Sequence, residues 1–348
     1  MAGAGGEGAV GAEEGAVEIG RDDPGKDHVS DYDGRRGQRR RRAVGSRPWT
    51  GSTGSPPSGA GGRTATARHK PLLLLYALGH HQRHGARPIE YAEAEQHLSR
   101  LLREFGPPRR TTPAYPFHHL ATDGFWTVTT AEGEGTSDAS PTALRRTNAR
   151  GALSPDLLRA LDTEPGLLDR IARHLLDANF APSLHDDIRL LAGLALDADA
   201  EPGSDLRPAG ARRDPGFRDE VLTAYEHRCA FCGFEGWIDG LTVGLEAAHV
   251  RWWALGGPDD PGNGLCLCSI HHRLFDRGVL GLTDDRAVTV STRFVGRSAG
   301  AEQVVHALAG RRSHDPQPGY APVEADHIAW HRREVFRGRP REQATAGT

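Results

Sequence analysis

Three polar residues in one stretch of this chain have types and spacing suited to hydrolysis: His249, Asn263 and His272. An imidazole at the end of a strand can take a proton from water near neutral pH, because histidine titrates there. Asn263 can hold that ring in one orientation or steady the loop it stands in. His272, on a following helix, can ligate a divalent cation that stabilises the charge building on a phosphate. The cation's identity stays open, since histidine with carboxylate suits Mg2+, Mn2+ and several transition metals.

The same stretch carries a second metal pattern. Cys229-Ala-Phe-Cys232 is a CxxC knuckle, and Cys268-Ser-Ile-His271 is a CxxH pair. Four soft or borderline ligands in two such pairs suit a tetrahedral structural Zn2+. The double histidine then divides: His271 closes the zinc set and His272 is left for the reaction site. Cys266 stands apart, turned from the knuckle by strand alternation, and reads as a buried apolar thiol. A redox role for the CxxC lacks the surrounding thioredoxin-like pattern. A non-catalytic zinc finger has no use for the spacing from Asn263 to His272.

Taken together, these residues resemble the HNH nucleases, small ββα-metal units that hydrolyse DNA phosphodiesters. The resemblance covers residues 214–337 and includes the ending Ile328-Ala329-Trp330-His331-Arg332-Arg333-Glu334-Val335-Phe336. It implies that His249 is the general base, that Asn263 orients it or steadies its loop, and that His272 ligates the cation. Asp276, one helical turn beyond His272, takes the place of a second ligand. The chain departs from the family at Ala248, where Asp, Glu or His usually binds metal. Either Glu246, on the same strand face, substitutes or water fills the position.

The elements that must position these residues follow from periodicity and breakers. Residues 1–62 are Gly, Ala, Ser, Pro and charge, and read as a disordered tail. Within it Arg35 to Arg42 is a basic run, either a solvated tail or a non-specific phosphate-binding arm. A first domain over 68–195 is mostly helical. Its expected helices run through Leu72–Leu78, Ile89–Phe105, Ser154–Leu161, Gly166–Asn179 and Leu184–Leu194, with a strand at Phe125–Val128. Residues 196–213 form a Pro- and Gly-broken linker that should leave the second domain free to reach. That domain, 214–337, should open with a helix over Asp214–Glu226. A strand at Thr242–Val243 should pair with one carrying Ala247–Val250. A helix from Cys268 to about Phe275 and a hairpin (Leu280–Leu282 with Val288–Val290) complete it, and 338–348 are a tail. The expected fold class is α+β: a mostly α-helical domain, with its own resemblance to a DNA-binding domain, then the ββα-metal nuclease domain with a zinc knuckle that the HNH resemblance implies.

Composition narrows the setting. The chain has 348 residues, enough for two domains. Four cysteines with no disulfide framework, beside eighteen histidines, suit a reducing cytoplasm. No run is long enough to span a membrane, and no secretory signal opens the chain. A net charge of −3 gives no global pull toward nucleic acid, so DNA binding must come from local basic patches.

The first domain has its own likeness. His69-Lys70-Pro71-Leu72-Leu73-Leu74-Leu75-Tyr76-Ala77-Leu78-Gly79 resembles the sulfur-binding domain of McrA-type restriction endonucleases. So do Phe105-Gly106-Pro107-Pro108, Tyr115-Pro116-Phe117, Leu120 and Asp123-Gly124-Phe125-Trp126. The resemblance implies recognition of double-stranded DNA in which sulfur replaces a non-bridging phosphate oxygen. Sulfur is larger and more weakly hydrated than oxygen, so an apolar dent favours it. By position, Tyr115 and Pro116 fall at that dent. Arg68, His69 and Lys70 should reach phosphates or base edges, with Arg109 and Arg110 as further phosphate contacts. His118-His119 stand where many relatives have Trp. The two likenesses together imply a modification-dependent restriction endonuclease, with a homodimer as the expected arrangement for cutting both strands. The alternatives are an HNH endonuclease reading another DNA feature, and a zinc module that binds DNA without cutting it.

Overall fold

Leu72, Leu73, Leu75 and Leu78 are each 0% exposed, and almost every side chain between them is buried too. A helix apolar all round belongs at the centre of a domain. In the computed structural model, which describes residues 68–136, 138–196 and 214–342, that is where α1 (His69–His84) lies. Gly79 lets the chain end of a later helix approach, since a Cβ there would come within 2.1 Å of the Ala192 carbonyl oxygen.

Around α1 are arranged β1 (Ile89–Glu90), α2 (Tyr91–Phe105), α3 (Ala114–His119), β2 (Trp126–Thr130), β3 (Gly133–Glu134) and α4 (Pro141–Arg146). β4 (Arg150–Leu153), α5 (Pro155–Thr163), α6 (Leu167–Asn179) and α7 (His185–Ala192) follow. The strands form one antiparallel sheet in the order β1-β4-β2-β3. Ser140 and Ser154 cap their helices by accepting from backbone N–H three residues on, each with proline in the first turn. The expected helices are present, but Ile89–Glu90 is a strand, and Tyr115-Pro116-Phe117 lies on a further short helix, α3.

The second half begins with α8 (Phe217–Ala224), and β5 (Trp237–Ile238) and β6 (Leu241–Thr242) form a small hairpin. β7 (Leu245–His249) pairs antiparallel with β8 (Gly264–Cys268), which leads directly into α9 (Ser269–Asp276). The partner of β7 is therefore β8, and the expected pairing with Thr242–Val243 is corrected. His249 faces Gly264 in this register. A Cβ at Gly264 would come 2.4 Å from Val221, so glycine is what lets α8 lie against the strand pair. β9 (Leu280–Leu282) and β10 (Val288–Val290) make the expected hairpin, and α10 (Ala299–Val304) and α11 (Ala325–Glu334) close the half. The chain does not become a tail at 338: Arg339 accepts from Thr292 N–H, and Arg341 N–H donates to Val290.

The described residues of the two halves lie in one compact unit. Trp252, Leu255, Trp330 and Val335 join the apolar core of the first half. Arg337 donates to the carbonyls of Arg103, Glu104 and Gly106 at the end of α2. The second half is thus packed on the first rather than hung free from it. Residues 197–213 and the tail 1–62, including Arg35–Arg42, lie outside the described residues. Among the described residues no helix is long and apolar enough to cross a membrane.

Candidate active site

A cleft of about 410 Å³ is lined by Glu246, His249, Trp252, Asp259, His272 and Asp276, and also by Phe180, Ala181 and Pro182 of the first half. β7 delivers His249 at its end, and α9 delivers His272 and Asp276 from one face, four residues apart. The ring of His249 stacks on Phe217 (centroids 4.1 Å, 20° between planes). Its Nε2 donates to Asp259 Oδ1 at 2.7 Å, and Asp259 Oδ2 accepts the Asp214 N–H.

The side-chain hydrogen bonds of Asn263 go elsewhere than to that ring. Asn263 is fully buried, and its amide accepts from Arg251 N–H (2.8 Å) and donates to the carbonyls of Arg251 and Pro258 (both 2.9 Å). Of the two expected roles, these contacts are those of a residue that ties the loop from β7 to β8 closed. Orientation of His249 falls to Asp259, which stands among glycines and prolines (Gly256-Gly257-Pro258-Asp259-Asp260-Pro261) and does not stand out in the sequence. The one signal is an acidic pair, Asp259-Asp260, between the histidine and the asparagine.

His272 sits between two carboxylates. Nδ1 lies 2.6 Å from Glu246 Oε2, and Nε2 lies 3.1 Å from Asp276 Oδ2. Burial works against charge on this ring, but Asp276 and Glu246 outweigh it and raise its pKa to about 10. The hydrogen bond from His272 holds Glu246 down to about 2. Asp276 stays below the usual carboxylate range although it is buried, because His272 and a donated Ser183 hydroxyl offset the desolvation. Its Oδ1 accepts the Trp252 indole N–H at 3.0 Å.

This donor set fits a divalent cation. His272 Nε2 and Asp276 Oδ2 stand 3.1 Å apart, close enough that both would reach one hard or borderline cation. To hold a cation, His272 would have to give up its Nε2 proton. Glu246 is placed on the far side of the ring and bonds Ser269 as well (2.6 Å). Its geometry is that of an outer partner fixing Nδ1–H, not of a direct ligand. Ala248 itself is fully buried in the core of the half.

Cys229, Cys232, Cys268 and His271 gather with their ligand atoms within 4.8 Å of one another, a cluster that suits zinc. His271 Nε2 donates to Val304 O at 2.9 Å, which leaves Nδ1 directed at the sulfurs of Cys229 and Cys268. Cys266 is fully buried, and burial pushes its thiol up to about 12.

The residues expected to meet DNA separate into two groups. The His69 ring stands 4.9 Å from that of Tyr115, which lies 4.3 Å from that of His119. Tyr115 is exposed and Pro116 buried, Lys70 pairs with Asp123 at 2.7 Å, and Arg109 and Arg110 are exposed. Arg68 is not with them. It is 3% exposed, donates to Glu334 O at 2.6 Å and lies over Trp252 at 4.8 Å. The expectation that it reaches DNA is corrected: packing of the two halves covers it.

The strand pair, the helix after it and the cysteine-histidine cluster define a ββα unit with a zinc-type knuckle. Residues 229–283 match the family of HNH endonucleases, and residues 59–199 match the ScoMcrA-like DNA sulfur-binding domain. The chain thus joins a sulfur-binding domain to a C-terminal HNH endonuclease domain. Among solved structures, the modification-dependent TagI restriction endonuclease is 28% identical, with 41% of each chain covered and a TM-score of 0.26. The sulfur-binding domain of ScoMcrA complexed with phosphorothioated DNA is 23% identical over 37% of this chain and 87% of that one, with a TM-score of 0.32. The type IV phosphorothioation-dependent restriction endonuclease ScoMcrA is 20% identical, over 51% of this chain and 34% of that one, with a TM-score of 0.31. The chain therefore spans about two fifths of the TagI structure. No curated protein matches it.

Proposed function

We propose that this protein is a modification-dependent restriction endonuclease that binds phosphorothioated double-stranded DNA and hydrolyses a nearby phosphodiester. One observation carries the reading. A chain that matches a DNA sulfur-binding domain also brings His249, His272 and Asp276 to one cleft of an HNH domain. The exposed ring of Tyr115, backed by the buried His69 and Pro116 and flanked by Lys70, forms the sulfur site, an apolar dent that oxygen, more strongly hydrated, would enter at a loss. Arg109 and Arg110 meet neighbouring phosphates.

His249 takes the proton of the attacking water on Nδ1 while Asp259 holds Nε2–H and stabilises the imidazolium that forms. His272 and Asp276 hold the divalent cation, with Glu246 fixing the His272 tautomer. When bound, that cation supplies positive charge to the phosphate oxygens as negative charge develops on them. Asn263 keeps the base-bearing loop in shape. Cys229, Cys232, Cys268 and His271 hold a structural Zn2+, and the reduced thiols this needs suit the cytoplasm. Two copies acting together would cut both strands.

The test compares two duplexes of identical sequence, one with a single Rp phosphorothioate, binding to the His249→Ala protein at moderate salt. Tenfold or tighter binding of the sulfur duplex, lost in a Pro116→Ala variant, is expected. Equal binding in several base contexts would leave an HNH nuclease reading another feature of DNA.

A further inference from the structure

The carboxylate of Asp276 is held from both halves of the protein. Its side chain is 1% exposed, and both oxygens are engaged. Oδ1 accepts the indole N–H of Trp252, from the loop after β7. Oδ2 faces His272 and accepts the hydroxyl hydrogen of Ser183, which lies 93 positions away in the sulfur-binding domain. Ser183 sits in the one-turn helix Pro182–Leu184, anchored by the buried Leu184 and continuous with α7. A second contact runs alongside. Asp187, one turn beyond Ser183, bonds Arg277, the neighbour of Asp276, at 2.7 Å.

The carboxylate torsion of an aspartate is broad and sets little by itself. A donor on each oxygen removes that freedom and leaves Oδ2 turned toward His272 Nε2. We propose that Ser183 is a positioning residue of the nuclease: the sulfur-binding domain supplies the hydroxyl that aims Asp276 at the catalytic cation. This rests on the reading of His272 and Asp276 as cation ligands. The nuclease site is then complete only while the two domains stay docked through Ser183–Asp276 and Asp187–Arg277. Movement of the first domain on DNA would reach the cation through one hydrogen bond.

The experiment titrates Mn2+ by calorimetry into the zinc-loaded full chain, without DNA, for the parent protein and the His272→Ala, Ser183→Ala, Ser183→Thr and Ser183→Val variants. Threonine and valine have the same shape and differ in the hydroxyl, so packing damage appears in both and the hydrogen bond in one. Loss of such an outer contact weakens metal binding about 10- to 100-fold. We expect about tenfold weaker Mn2+ binding in Ser183→Ala and Ser183→Val, with Ser183→Thr close to the parent. Binding of the phosphorothioate duplex should be unchanged in all three. Parent-like Mn2+ affinity in Ser183→Ala and Ser183→Val, while His272→Ala loses it, overturns the role of Ser183 and leaves the cation site standing. Equal weakening in threonine and valine overturns it as well. If no Mn2+ binding in the parent depends on His272, the cation reading fails, and the inference fails with it.

Discussion

Asp259 Oδ1 lies 2.7 Å from Nε2 of His249, and the two side chains are 11% and 14% exposed. A carboxylate at that edge of the ring decides which nitrogen carries hydrogen and stabilises the charge the ring gains when it takes a proton. Positioned general-base catalysis contributes about 10²–10⁴-fold. We therefore expect Asp259→Ala to lower cleavage at least tenfold with DNA affinity kept. Asp259→Asn, which can still accept from Nε2–H but carries no charge, should fall between. Initial rates on a fixed phosphorothioated duplex at saturating Mn2+ measure this. Parent-like rates in Asp259→Ala would remove Asp259 from the mechanism.

The zinc cluster and the reaction site share α9. Cys268 stands at its N-terminal cap, His271 is in its first turn, and His272 is the next residue. A metal at the cluster would therefore fix the start of the helix that carries His272 and Asp276, the proposed cation ligands. Purified protein should hold about one zinc per chain, and Cys268→Ser or His271→Ala should lose most of it, as structural sites of this type do. Elemental analysis with thermal melting tests this. Zinc loss should lower the melting temperature and abolish cleavage together. A full complement of zinc in both variants would show that these ligands do not hold it.

The parts legible in the sequence were those set by local spacing. The two ligand pairs, the i, i+4 pair on α9, the hairpin at Leu280–Val290 and helices such as α6 each depend on neighbours within a few residues. The parts that were not legible depend on distant partners. β4 reads Arg-Gly-Ala-Leu, a weak strand pattern, because Gly151 lies under the Trp126 ring, where a Cβ would come within 1.9 Å of it. The partner of β7 lies beyond a fourteen-residue turn-rich segment, so the nearer β-branched residues at Thr242–Val243 drew the pairing. Asp259 looked like a turn residue because nothing local says which histidine it meets. Ser183 carried no signal, since its role comes from a half of the chain 93 positions away.

Arg68 shows the same limit and gives a third prediction. Beside His69 and Lys70 it reads as part of a basic patch, yet Glu334 O, 266 positions away, takes its hydrogen bond. Burial first, then Arg337, lower its pKa to about 9. A buried charged hydrogen bond together with a desolvated cation–π contact is worth about 2–4 kcal/mol. Arg68→Ala should therefore cost roughly that much stability in urea unfolding while keeping the preference for sulfur. A residue that touched DNA would behave in the opposite way. Unchanged stability with a lost sulfur preference would return Arg68 to the recognition surface.

His331 sets a pH dependence. It is 1% exposed, stacks on Phe275 (centroids 3.8 Å, 10° between planes) and donates through Nε2 to Phe275 O at 3.1 Å. Burial outweighs that carbonyl and Asp276, and lowers its pKa to about 4. In the unfolded chain the same ring titrates near about 6.5. Between those values the unfolded chain binds a proton that the native protein refuses, so stability rises with pH across the window and is lost as pH falls through it. The contribution is about 3 kcal/mol, fully present above about pH 6.5. His331→Gln keeps a donor for Phe275 O but does not titrate, so its stability should fall less on acidification. Urea unfolding of both proteins at about pH 7 and about pH 4.5 measures the difference, with the titrations of Glu246 and the zinc cluster common to both and cancelling. A gap between the two proteins that stays constant from neutral to acid would assign the acid sensitivity to other groups.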